Sequence, residues 1–187
     1  TLPKDILKIE GLNYLITSNG AAVCTKDGKR IHSVSVSESD VATLLKITES
    51  EDLIFEAFVN GLTYTDSRYV KNPLKYGCSE AYVSYVRASH GHIDDMRSFI
   101  YNHRKELDCF EIICTDRKKR EYLRELISKN TDGLFITSSS ENFIELMDKD
   151  ATKGKALKWL CKKLGISLLQ TSACGNADND ADMIDQA

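Results

Sequence analysis

Proline and glycine are scarce, at two and ten residues of 187. That argues against long linkers and points to one domain or two small ones. Basic charge is not in excess: the formal net charge is −3, which leaves no basic face for nucleic acid. The longest basic cluster, Arg117-Lys118-Lys119-Arg120, reads as one solvated helix face. No apolar run approaches the roughly 20 residues of a membrane span. Neither a membrane nor a nucleic acid is therefore an expected partner, and a cytoplasmic location is expected. Six cysteines stand at 24, 78, 109, 114, 161 and 174 with no CxxC pair. Most have apolar neighbours, the pattern of reduced, buried thiols rather than a disulfide framework. GxSxG, Walker A and GxGxxG motifs are absent, which removes their signals for nucleophile-elbow, P-loop and dinucleotide chemistry. Cys114 and Cys174 have no histidine at a readable spacing, so a thiol nucleophile is not expected.

What is present is core-forming sequence, 42% hydrophobic. Asp27-Gly28 and Asn60-Gly61 sit between β-rich arms and predict two tight hairpins. Ahead of the first, YLITSNGAAV predicts a buried strand ending near Thr17. Four apolar stripes follow the helical period: Val41/Leu44/Leu45, Ala81/Tyr82/Tyr85/Val86, Met96/Phe99/Ile100/His103 and Leu123/Leu126/Ile127. Ser37 and Asp40 stand at capping spacing before the first. Residues 109–115 and 133–139 predict strands, the second pairing with NFIELMD. These elements make an α+β layer with helices segregated from hairpins. Thereafter a helix over 152–165 closes at Gly165, a strand is predicted over 166–174, and another helix starts at ADMIDQA. Strand, loop and helix is α/β grammar, in which ligands gather at the C-terminal ends of strands.

Two features carry chemistry. Lys153 opens a helix whose predicted buried stripe is Leu157, Leu160, Cys161 and Leu164, so it lies on that face one turn earlier. A cation in a first turn opposes the helix dipole. Either it snorkels past the helix end, or it joins the terminal N–H groups to hold a phosphate. The second feature is ACGNADNDADM, with five Asp or Asn residues in seven positions. A solvated turn is one reading. A calcium loop fails because Met183 stands where the turn glycine is needed and no twelfth-position Glu follows. Half of a magnesium site is the third reading. His90-Gly91-His92 lacks a third metal ligand and reads as a surface loop. His103 reads as a half-buried helix residue and His32 as an ordinary strand residue.

Taken together, these segments resemble the Cof-type phosphatases of the haloacid dehalogenase-like superfamily. YLITSNGAAVCTKDGKRI is similar to the family's strand and Asn-Gly-Ala segment leading into the cap. GLFITSSSENFIELMDKDATKGKAL is similar to the cap exit and lysine segment. CGNADNDADMI is similar to the fourth motif, Gly-Asp-x-x-Asn-Asp-x-x-Met. The resemblance implies a partial Rossmannoid α/β core at 1–24 and 149–187, interrupted by an α+β cap at 25–148. It implies that Lys153 neutralises the transferring phosphoryl group, that Asn179 contacts phosphate, and that Asn19 lies near the site. It further implies Mg²⁺ as cofactor, with position 176 a direct ligand and Asp180 supporting the ion partly through water. The implied reaction is attack by an Asp carboxylate on a small phosphorylated metabolite, sugar phosphates being the family's usual range, with hydrolysis of the aspartyl-phosphate.

Two departures qualify the resemblance. Asn176 stands where the family has Asp, which predicts weaker Mg²⁺ binding. The Asp-x-Asp-Gly-Thr nucleophile motif is missing from the sequence, so this chain alone is expected to be an inactive, self-associating fragment. The alternatives are a non-catalytic binding or structural module with a degenerate metal site, and a phosphomutase.

Overall fold

The computed structural model describes residues 6–187; residues 1–5 of the expected core segment 1–24 lie outside the described residues. Three short strands come first: β1 (Tyr14–Thr17), β2 (Ala22–Thr25) and β3 (Arg30–Ser33). They form an antiparallel sheet in the order β1-β2-β3. Between β1 and β2 the chain turns through Ser18 and Asn19, both at positive φ (49° and 55°). Gly20 follows at φ 106°, where an added Cβ would run into the Thr152 carbonyl and lie 2.7 Å from the Lys153 nitrogen. Only glycine permits that approach.

The larger unit follows in chain order. It comprises α1 (Glu38–Ile47), β4 (Ile54–Val59), β5 (Leu62–Asp66), α2 (Ser67–Lys71), α3 (Glu80–Ser89), β6 (Gly91–Ile93), α4 (Met96–Asn102), β7 (Leu107–Ile113), α5 (Arg117–Asn130), β8 (Leu134–Thr137) and β9 (Phe143–Asp148). Its six-stranded sheet has the order β6-β5-β4-β7-β9-β8. The pairing is antiparallel except for β5 with β6. Asn60 and Gly61 both take positive φ at the β4–β5 turn, the geometry that a two-residue hairpin of this twist requires. Alternation along the strands puts Phe55, Ala57, Phe110, Ile112, Ile144 and Leu146 into one core with Leu44, Ile100, Leu123 and Ile127 of α1, α4 and α5. The Ser37 hydroxyl accepts from the Asp40 amide and starts α1, as the capping spacing predicts.

The chain then enters α6 (Lys153–Leu164), capped by Thr152, whose hydroxyl accepts from the Lys155 amide, and ended by Gly165 at φ 69°. A short final helix, α7 (Ala181–Gln186), packs on it.

Four expectations need correction. The segment 166–174 is not a strand: Leu168–Gln170 is a 3-10 turn and the rest is irregular. Ser167 and Gln170 bond each other's backbone there, and no strand among the described residues lies alongside to supply a ladder. In α6 the buried residues are Gly154, Ala156 and Cys161; Leu157 and Leu160 are half-buried and Leu164 is exposed. Gly154 meets Asp182 and Gln186 of α7 at close range, so small residues take the buried face in place of the leucines. In α3 only Val86 is buried, while Tyr82 and Tyr85 stand exposed at a cavity. His90-Gly91-His92 is not a surface loop, since Gly91–Ile93 forms the edge strand β6. His103, by contrast, is half-buried as expected and stacks on Phe99 at 4.2 Å.

Candidate functional site

Lys153 opens α6 beside the β1–β2 turn, because Gly20 lets that turn touch the helix's N-terminus. Its ammonium reaches Asp180 Oδ1 at 2.6 Å. The two residues are 27 positions apart, and their side chains are 25% and 9% exposed. A first-turn cation is tolerated here because a carboxylate meets it; the helix dipole alone would disfavour it.

Asp180 is anchored from the other side as well. Its Oδ2 accepts from the Asn176 and Ala177 amides at 3.0 and 3.2 Å. Gly175 lies so near that any Cβ there would strike the Asp180 side chain. The Lys153 bond, followed by the two loop amides, holds the Asp180 carboxyl below its usual range. The acidic loop is therefore a closed turn wrapped around one carboxylate, with Asp180 and Asn179 both only 7% exposed.

A second set of bonds runs from this turn into the sheets. Asn179 Nδ2 donates to Asn19 Oδ1 at 3.1 Å, and Asn19 Nδ2 donates to Glu145 Oε2 at 2.8 Å. The carboxylate fixes which way the amides point: Asn19 must donate to Glu145, so its oxygen must accept from Asn179. That leaves Asn179 Oδ1 buried with no partner. A buried acceptor without a donor is costly, and it marks a place where a donor group or a bound water belongs.

The phosphate reading of Lys153 invokes the helix-terminal N–H groups, and two of these have partners within the protein. The Gly154 amide donates to Asp182 Oδ2 at 3.0 Å and the Lys155 amide to Thr152 Oγ1 at 3.3 Å. Those two N–H groups are already taken. The metal donor set is also thin. Asn176 is exposed and neutral, and both Asp180 oxygens are committed to protein donors. Among the described residues no three His, Cys, Asp or Glu side chains gather as a metal cluster. By themselves these residues offer a magnesium ion one amide oxygen and no uncommitted carboxylate oxygen at Asp180. What the arrangement can do is present one ammonium and two side-chain amides to an anion.

Lys153, Asp180, Asn179 and Asn19 thus come together, while Asn176 contributes its backbone amide. Sequence reasoning missed Glu145, Asp182 and Asp108. Asp108 is fully buried and takes a bidentate bond from Arg30 at 2.8 and 2.6 Å, with the Gly61 amide at 2.8 Å. It thereby joins the small sheet to the large one. A signal for Glu145 was available: three strand segments, Phe55-Glu56-Ala57, Phe110-Glu111-Ile112 and Ile144-Glu145-Leu146, each interrupt an apolar run with one glutamate.

Known proteins resemble this chain in sequence and in fold. The chain is 25% identical over 195 residues to phosphatase YwpJ of Bacillus subtilis, covering 93% of this chain and 66% of that protein. The chain therefore spans slightly under two thirds of that relative's length. A haloacid dehalogenase-like hydrolase structure from B. subtilis superposes with a TM-score of 0.76 at 24% identity, over 98% of this chain and 70% of the other. The subclass IIB sugar phosphatase BT4131 gives 0.71 at 16% identity, over 94% and 62%. These two likenesses establish the α/β fold with its cap. The sequence pattern of the haloacid dehalogenase-like hydrolases matches residues 4–187. A match from the fourth residue to the last, over a fold of the same kind, makes this chain a member of the haloacid dehalogenase-like hydrolase family.

Proposed function

We propose that these 187 residues carry the phosphate-positioning side of a phosphatase acting on small phosphorylated metabolites, sugar phosphates among them. The observation that carries the reading is the Lys153–Asp180 pair at 2.6 Å beside the buried Asn19–Asn179 bond. Lys153 offsets the negative charge of the phosphoryl group. Asp180 keeps its loop closed through the Asn176 and Ala177 amides, so an arriving phosphate competes for the ammonium without unfolding the turn. Asn19 and Asn179 orient the ester, and Glu145 holds Asn19 in place. The division into core segments 1–24 and 149–187 around a cap at 25–148 belongs to this reading.

Two parts of the chemistry lie outside the residues in hand. No Asp-x-Asp-Gly-Thr occurs in the sequence; on this reading the nucleophilic carboxylate is not among these side chains, and this chain alone should turn over no substrate. Magnesium, the cofactor the family resemblance implies, would find one amide oxygen at Asn176 and an outer carboxylate at Asp180, and no step is assigned to it.

The test is a phosphate-ester panel on the full-length gene product. Release of inorganic phosphate from sugar phosphates, reduced about a thousandfold or more by Lys153→Ala, supports the reading. Turnover unaffected by that substitution would sink it. Transfer of phosphate between sugar positions without release would instead identify a phosphomutase.

A further inference from the structure

The face of the large sheet opposite α1, α4 and α5 is crossed by a row of polar residues in register. Thr65 faces Glu56, Glu56 faces Glu111, Glu111 faces Glu145, and Glu145 faces Thr137. Three carboxylates on adjacent central strands are about 4.8 Å apart in the ladder direction. Like charges directly opposite destabilise a sheet, and buried carboxylates are rare unless paired. Two of the three are paired. Glu145 accepts from Asn19 Nδ2 and the Ser139 amide, each at 2.8 Å. Glu56 lies 3.3 Å from His90 Nε2. Glu111, in the middle, is 8% exposed and has no hydrogen-bond donor or counter-cation among the described residues.

Glu111 and Glu56 line a cavity of about 470 Å³ together with Tyr82, Tyr85, His90 and Ser139. The carboxylates are strung across strands and do not converge, and among the described residues no metal-holding group of side chains forms. An elongated organic cation suits that layout better than a metal ion. Its ammonium would sit on Glu111, tyrosine rings would flank it, and serine and tyrosine hydroxyls would meet hydroxyl groups on its body. Through Glu145 the row is linked to the candidate phosphate site, because Glu145 accepts from Asn19 and Asn19 accepts from Asn179.

We infer that this glutamate-lined cavity binds the ammonium group of a sugar-sized, hydroxyl-bearing molecule whose phosphoryl end lies at Lys153. The phosphoryl end rests on the proposed function, whereas the ammonium end rests on Glu111 alone. Burial, with Glu56 and Glu145 on either side, pushes the Glu111 carboxyl well above the usual glutamate range. An ammonium ligand removes that penalty, and a neutral ligand does not.

The test compares four probes on this chain by ligand-detected NMR near neutral pH, where the sugar amine is still mostly charged and less of the Glu111 proton must be displaced: glucosamine, glucose and their 6-phosphates. The amine should improve affinity about tenfold in both the free and the phosphorylated pair, and Glu111→Gln should remove the difference. Equal affinity for amine and hydroxyl sugars in the parent protein overturns the inference, whatever any variant does. Lys153→Ala separates the two ends. If it weakens both phosphorylated sugars in a parent with no amine preference, the phosphate reading survives and the ammonium pocket falls. If the amine preference is present but phosphorylation and Lys153 make no difference, the pocket stands and the phosphate reading fails.

Discussion

Asp180 and Glu111 are both buried acids, yet their environments act in opposite directions, and pH tells them apart. Lys153 and two loop amides hold Asp180 below its ordinary value of 3.8. Its contribution to stability is present above that value and is lost as the pH falls through the lower folded-state value. Removing it by Asp180→Ala should cost about 1–2 kcal/mol, seen as a drop in Tm of about 5 °C. Glu111 is raised above its ordinary value of 4.5, so folding favours its protonated form. Parent stability should decline as the pH rises from 4.5 toward the folded-state value. Glu111→Gln should therefore raise Tm by roughly 3 °C at neutral pH, and the gain should vanish near pH 4; a constant gain at both would contradict the assignment. Position 176 is tested differently. Asn176→Asp adds a second acid beside Asp180, and calorimetry on the full-length product should show Mg²⁺ binding about tenfold tighter. Equal Mg²⁺ dependence would refute the claim that the amide weakens the site. Of these residues, Lys153 and Asp180 were singled out through the family resemblance, and their side chains meet at 2.6 Å. Glu111 and Glu145 were overlooked, although each stands as the one glutamate interrupting an apolar strand run.

Elements whose residues obey a period were readable, and those depending on a neighbour were not. The Asn60-Gly61 hairpin, α1, α4, α5 and the β8–β9 pair all follow from local turn chemistry and period. The segment 166–174 has strand composition but no ladder partner among the described residues, and the Ser167–Gln170 bonds turn it instead. The burial of α6 shifted because Gly154 and Ala156 allow close packing, which no hydrophobic count registers. Glycines at those contacts give a sharp prediction. Gly20→Ala combines a positive φ with a collision against Thr152 and should destabilise by about 2 kcal/mol or more. Gly61→Ala meets only an Arg30 nitrogen at 3.9 Å, so it should cost about 1 kcal/mol from φ alone. Chemical denaturation of both variants checks the order; equal losses would mean that the Gly20–Thr152 contact is loose.

At the scale of the whole molecule, the α/β fold and cap were legible only through the resemblance, since composition cannot say which distant segments meet. The apolar side chains Leu164, Ile166, Leu169 and Ile184 are exposed, Leu169 at 96%. Exposed apolar side chains of this kind should drive concentration-dependent self-association of this chain; light scattering that shows a monomer at every concentration would contradict that. The central claim concerns the corner where α6, the β1–β2 turn and the 176–180 loop meet. Titrating the isotope-labelled chain with inorganic phosphate, and following its backbone and asparagine side-chain amide signals, tests that corner most directly. The account predicts saturable shifts at Asn19, Ala177 and Asn179, and affinity reduced about tenfold by Lys153→Ala. Phosphate that shifts none of these signals, or binds the variant as tightly as the parent, would contradict it.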